Sequence, residues 1–262
     1  MRRAILAGVT LAALALSGCK SPISPLTTGS IGSNRVEAAQ DSEGWRAIAA
    51  RWRPIYEATP TDATAAINYG RALRALDQKS QALAVLQTAA IKNPRHMQLL
   101  GEYGRALADN GRFDEALDVF PRAHTPDRPD WRILAAQGAV LDQLGRGPEA
   151  IKYYNTALKM APGEPSILSN MGLSYALQSD LTTAETYLRQ AYASPKADMR
   201  VRLNLALVLA LQGRFPDAET IARQDLSKQQ AAQNTATLRQ MLAQSNNWQK
   251  LRQMDGKAQG RG

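Results

Sequence analysis

One cysteine in 262 residues, Cys19, excludes an intramolecular disulfide, so the residue has no partner to stabilise. Histidine is almost as scarce. His96 and His124 each lack a second histidine or carboxylate at the spacing that a metal ion or general base needs, and both read as loop residues. The 18 glycines never cluster into a phosphate-cradling loop. Asp114-Glu115 looks like a catalytic acid pair, but it reads better as the start of a helix, where the macrodipole favours acids. These absences point away from an enzyme, a metal site or a bound cofactor.

Long apolar runs are also missing. The stretch of apolar and small residues from Ala4 to Leu16 is thirteen residues long, short of the roughly 20 needed to cross a hydrocarbon core. Arg2 and Arg3 precede it and Leu16-Ser17-Gly18-Cys19 follows it, the order of a secretory signal. The segment resembles a bacterial lipobox. That resemblance implies cleavage before Cys19, a diacylglyceryl thioether on its sulfur and acylation of the new amino group. Two or three acyl chains anchor stably where one is marginal. Lys20, rather than Asp, at the second mature position implies the outer membrane, by analogy with Gram-negative lipoprotein sorting.

Loss of residues 1–18 removes Arg2 and Arg3 and no acid, taking the formal charge from +9 to +7. The cations are scattered among acids along the chain, which suits an acidic partner or anionic headgroups, and nucleic acid is not expected. Residues 19–40, rich in Ser, Thr, Pro and Gly over their first part, read as a disordered tether. About 15 such residues reach roughly 20 Å.

The remainder follows one period. Gly70, Gly104, Gly138 and Gly172 stand 34 residues apart, and the next step lands on Ala206. Twelve residues behind run Ala82, Ala116, Ala150, Ala184 and Ala218. Large apolar columns accompany them: Leu73, Leu107, Leu141, Tyr175 and Leu209 after the glycines, and Leu86, Phe120, Tyr154, Leu188, then Ala222, after the alanines. Pro60, Pro94 and Pro162 mark period ends. At these offsets the sequence resembles the tetratricopeptide repeat. The expected fold is all-α, a superhelix of five helix-turn-helix repeats over 63–228 (63–96, 97–130, 131–164, 165–198 and 199–228). Each hairpin leaves an apolar face that the next must cover, so caps are required at both ends.

Trp45, Ile48, Trp52, Ile55 and Tyr56 recur at helical spacing and make 41–60 an N-terminal capping helix, with Pro54 kinking it or shifting its start. Residues 229–254 are expected to be C-terminal capping helices. Leu238, Met241 and Leu242 share one face of the first, Trp248 and Leu251 add a short closing helix, and 255–262 form a disordered tail. The repeat resemblance also implies a concave groove lined by each repeat's first helix. It draws in Ile67, Arg71 and Arg74, then Arg105, then Ala135, Ala139 and Asp142, and finally Leu173, Leu177, Leu203, Leu207 and Leu211. Such a groove is basic at one end and apolar at the other, suited to a peptide with an acidic and an apolar half. Alternatively, the leucines pack against the helix at 229–244.

A lipobox, a short tether and a run of these repeats resemble the TadD family, lipoproteins of the Flp (tight adherence) pilus apparatus. The resemblance implies a pilotin-like protein at the outer membrane, facing the periplasm, whose partner is a secretin or another protein of the pilus or secretion apparatus. Alternatives are an adaptor that regulates a peptidoglycan-modifying enzyme and a pilotin of the type IV pilus kind.

Overall fold

The computed structural model describes the backbone of residues 37–259 and the side chains of residues 42–244. Cys19, the signal segment and most of the 19–40 tether lie outside the described residues, as do the side chains of Trp248 and Leu251. Twelve α-helices are described: α1 (Glu37–Ala58), five hairpins, and α12 (Lys228–Gln259). The hairpins are α2 (Ala63–Ala75) with α3 (Lys79–Lys92), α4 (Met97–Asp109) with α5 (Phe113–Val119), and α6 (Trp131–Gln143) with α7 (Gly147–Met160). They continue with α8 (Pro165–Leu177) and α9 (Leu181–Tyr192), then α10 (Met199–Leu211) and α11 (Phe215–Ala222).

One backbone device turns every hairpin. Asp77, Gly111, Gly145, Ser179 and Gly213, again 34 apart, all have positive φ, between 58° and 81°. The residue after each returns its N–H to a carbonyl five back, as Gln78 does to Leu73 at 2.8 Å and Arg214 to Leu209 at 2.9 Å. The turning residue itself bonds three back, as Gly145 does to Asp142 at 3.0 Å. This paired closure caps the first helix and aims the second back along it. Several helices also begin on a side-chain cap: Asp62 accepts from Ala65, Asp180 from Thr183 and Asp198 from Val201. His96, expected as a loop residue, caps α4 by accepting the Leu99 N–H at its Nδ1.

The glycine column sets the crossing of the two helices. A Cβ built on Gly138 would lie 2.6 Å from Cε1 of Tyr154, and one on Gly104 would lie 2.6 Å from Cε1 of Phe120. The large side chain sixteen residues on therefore sits where a first-helix side chain would be, and the helices approach closely. Leu86, Phe120 and Leu188 are fully buried and Tyr154 nearly so, each burial contributing about 1.5–3 kcal/mol. In the fifth hairpin both partners change together. Ala206 replaces glycine and Ala222 replaces the large residue, and both are buried, so the second position loses bulk where the first gains it.

The ends differ from expectation in extent. Helix α1 begins at Glu37 and runs through Pro54 without ending there. Its Ala49, Trp52 and Tyr56 pack on the first core cluster, and the Tyr56 ring lies 5.7 Å from that of Tyr69. Helix α12 is continuous to Gln259, so 255–259 are helical and no break precedes Trp248. The stretch from Gln244 to Gln259 has a single glycine and no proline, and nothing in it stops a helix that the packed first turns have nucleated.

Candidate functional site: a basic cleft on the concave face

Successive first helices lie side by side, so residues about one period apart become neighbours. Arg71 and Arg74 of α2 thereby meet Glu102 of α4, thirty-one and twenty-eight residues on. Glu102 has a side chain only 5 % exposed and accepts from three arginines: Arg71 at 2.8 Å, Arg74 at 3.1 Å and Arg105 at 3.0 Å. Arg74 also holds Asp109 through its Nε. Burial pulls the Arg105 guanidinium below its ordinary pKa, against the attraction of Glu102. The three arginines expected in the groove are thus gathered at one place, by a carboxylate that the sequence reading did not select.

Around this knot opens a cleft of about 1130 Å³, bordered by Trp45 of α1, by α2 and α4, by the 123–133 segment and by Arg200 at the start of α10. Seven cations line it (Arg71, Arg74, Lys79, Arg105, Arg128, Arg132 and Arg200) against three carboxylates (Glu102, Asp109 and Asp130). Asp130 caps α6 at the Arg132 N–H. The Arg132 guanidinium lies 4.4 Å from the centre of the Trp131 ring, which restrains its direction. A second hollow of about 720 Å³ shares Arg74, Lys79, Arg105 and Asp109 and continues over Ala136, Ala139 and Gln143. The two hollows therefore share the cations Arg74, Lys79 and Arg105, beyond which the second is lined by uncharged residues of α6.

The other expected groove residues fare differently. Ile67, three before the glycine, is 3 % exposed, and its counterparts Ala135 and Ser169 are buried too, so these side chains pack at the seam between neighbouring first helices, while Gly101 of the same column borders the cleft. Asp142 is turned to structural use. It accepts from Tyr154 Oη at 2.8 Å and Ser174 Oγ at 2.6 Å, and burial raises its pKa in spite of those bonds.

The apolar end closes on itself. Leu173 is 7 % exposed beneath a small pocket it shares with Asn204 and Arg200. Leu203 packs in the last core cluster with Leu238, and Leu207 faces Asn234, Thr235 and Leu238 of α12 across a gap of about 30 Å³, too small for a ligand. Packing beside the C-terminal helix is the outcome for Leu203, and Leu207 borders the same helix across the gap. Leu177, 54 % exposed, and the half-buried Leu211 remain at the surface.

Among the described residues, no three His, Cys, Asp or Glu side chains are grouped to hold a metal ion, and no helix is long and apolar enough to cross a membrane. His124, read as a solvated loop residue, is half-buried with its Nδ1 unpartnered.

Comparison with known proteins agrees with this architecture. Tetratricopeptide-repeat family models match residues 67–129 and 122–165, and another matches 199–224. No curated protein matches the sequence. Among solved structures, a tetratricopeptide repeat protein from Parabacteroides merdae is similar with a TM-score of 0.65 at 12 % identity, over 76 % of this chain and 79 % of that one. A thermophilic TPR protein of Thermus thermophilus gives 0.61 at 21 % identity, over 68 % of this chain and 98 % of that one. Human IFIT1, in a dimer with m7Gppp-AAAA, gives 0.60 at 16 %, over 70 % and 46 %. At these identities the likeness establishes the fold alone, and that fold is the tetratricopeptide-repeat superhelix.

Proposed function

We propose that this tetratricopeptide-repeat protein is a lipid-anchored, non-enzymatic scaffold of the bacterial outer membrane, facing the periplasm, whose concave face holds a protein partner in Flp pilus assembly. The observation that carries the binding reading is the open cleft with its excess of positive charge, in a fold that generally serves as a scaffold rather than a catalyst. The anchor rests on Leu16-Ser17-Gly18-Cys19 and on a tether able to hold the domain clear of the headgroups. The pilus assignment rests on the order of lipobox, tether and repeats, which resembles the TadD lipoproteins, and makes a secretin the first partner to test.

A deletion strain tests this reading. Loss of the protein should abolish surface pili and secretin multimers, the wild-type gene should restore both, and Cys19→Ser should fail to restore them. Pili and multimers that persist in the deletion strain, with cell shape or wall composition altered instead, would contradict the pilus role and favour a wall-enzyme adaptor.

A further inference from the structure

We propose that the basic cleft takes an acidic segment of a separate protein, and that a carboxylate of this segment replaces Asp109 on Arg74. The inference rests on the concave face being a binding surface and specifies its chemistry. Three observations lead to it. Glu102 is buried and holds Arg71, Arg74 and Arg105 in place, so their remaining donors are set before a ligand arrives. Asp109 is the accessible carboxylate of the knot, with a side chain 31 % exposed, and sits on Arg74 where solvent and a ligand can compete for it. Finally, Arg128 and Arg132 are exposed on the cleft wall, and among the described residues neither has a carboxylate in ion-pair contact.

The occupant is a peptide rather than a polyphosphate because the deepest position already holds the negative charge of Glu102. A doubly charged phosphate there meets repulsion, whereas single carboxylates spaced along a chain fit the surrounding cations. Nor do residues 1–41 or 245–262 qualify. Residues 1–41 carry only Glu37 and Asp41 against Arg2, Arg3, Lys20 and Arg35, and residues 245–262 carry only Asp255 against Lys250, Arg252, Lys257 and Arg261. Neither stretch carries the run of acids that would match the cleft, and the acidic segment is assigned to another molecule.

Fluorescence anisotropy on the full-length protein tests the proposal, with a labelled (Glu-Ala)5 decapeptide, its (Gln-Ala)5 counterpart and a 5′-phosphorylated oligo(A). The acidic peptide should bind, weaken steeply with added salt and outcompete both other probes. Asp109→Asn should tighten acidic-peptide binding about two- to fivefold, the range expected when one exposed ion pair no longer competes. Such a gain cannot arise from misfolding. The double variant Arg128→Gln/Arg132→Gln, at exposed positions, should weaken binding without moving the thermal melt. Equal binding of the Gln peptide, or tighter binding of oligo(A), overturns the acidic segment. Unchanged or weaker binding in Asp109→Asn overturns the displacement. Absence of peptide binding alongside loss of pili in the deletion strain would refute the cleft chemistry while leaving the scaffold reading in place.

Discussion

Gly138→Ala puts the packing logic of the repeats to a quantitative test. The added methyl would stand 2.6, 2.8 and 2.9 Å from three carbons of the Tyr154 ring. Ordinary carbon contacts are about 3.5–4.0 Å, so the ring must retreat by roughly 1 Å. It has little room: Tyr154 is 1 % exposed and its hydroxyl is tied to Asp142, which is tied in turn to Ser174. Overpacking of this kind costs about 1–3 kcal/mol, and the better helix propensity of alanine returns about 1 kcal/mol. The expected net loss is about 0–2 kcal/mol, read as a lower urea midpoint at constant m-value. Tyr154→Ala alone should cost about 3–5 kcal/mol. Combining the two copies the Ala206 and Ala222 arrangement of the fifth hairpin, and the pair should be less destabilised than the sum by about 1 kcal/mol or more. A Gly138→Ala variant stabilised by the full helix-propensity gain of about 1 kcal/mol, or strict additivity in the pair, would refute the close-approach account.

Three further outcomes follow from the same structure. Ser179→Gly should stabilise the protein by about 1 kcal/mol, because a non-glycine residue at φ 67° is strained; an unchanged urea midpoint would mean that the turn bears no strain. Leu207→Asp should lower the thermal melt by several degrees, since the carboxylate would be pressed against Leu238, and an unaltered melt with lost partner binding would return Leu207 to the groove. Asp142 has a folded pKa raised by burial, so its contribution to stability is fully present below its ordinary value of 3.8 and is lost as pH rises through the raised folded value. Asp142→Asn should therefore flatten stability between those two values, and an identical pH profile in the variant would contradict the assignment.

The period of 34 made the architecture legible, because each column keeps one environment from repeat to repeat. It announced the hairpins, the buried glycines and the large residues that cover them. It also contained the left-handed turn column, but only three of its five members are glycine, and Asp77 and Ser179 hide the pattern. The candidate site was half legible. Arg71, Arg74 and Arg105 stand at groove offsets and do line the cleft, whereas Glu102, one residue away from the seam column, gives no sign of its role until α2 and α4 lie side by side. A search for opposite charges about one period apart would have found it. Leu203 and Leu207 were ambiguous for a different reason. The helix that covers them is mostly polar, with Ala231, Thr235 and Leu238 as its main packed residues, too few to declare a packing face in sequence.

Placing the partner on the concave cleft is the claim on which the functional account turns. Site-specific photo-crosslinking in living cells tests it most directly, with the photoreactive residue at Gln98, a neutral position on the cleft wall, or at Ile91, 68 % exposed on a second helix and outside the cleft. The account predicts a discrete crosslinked partner from Gln98, lost with Arg128→Gln/Arg132→Gln, and none from Ile91. A partner captured from Ile91 and not from Gln98 would contradict it.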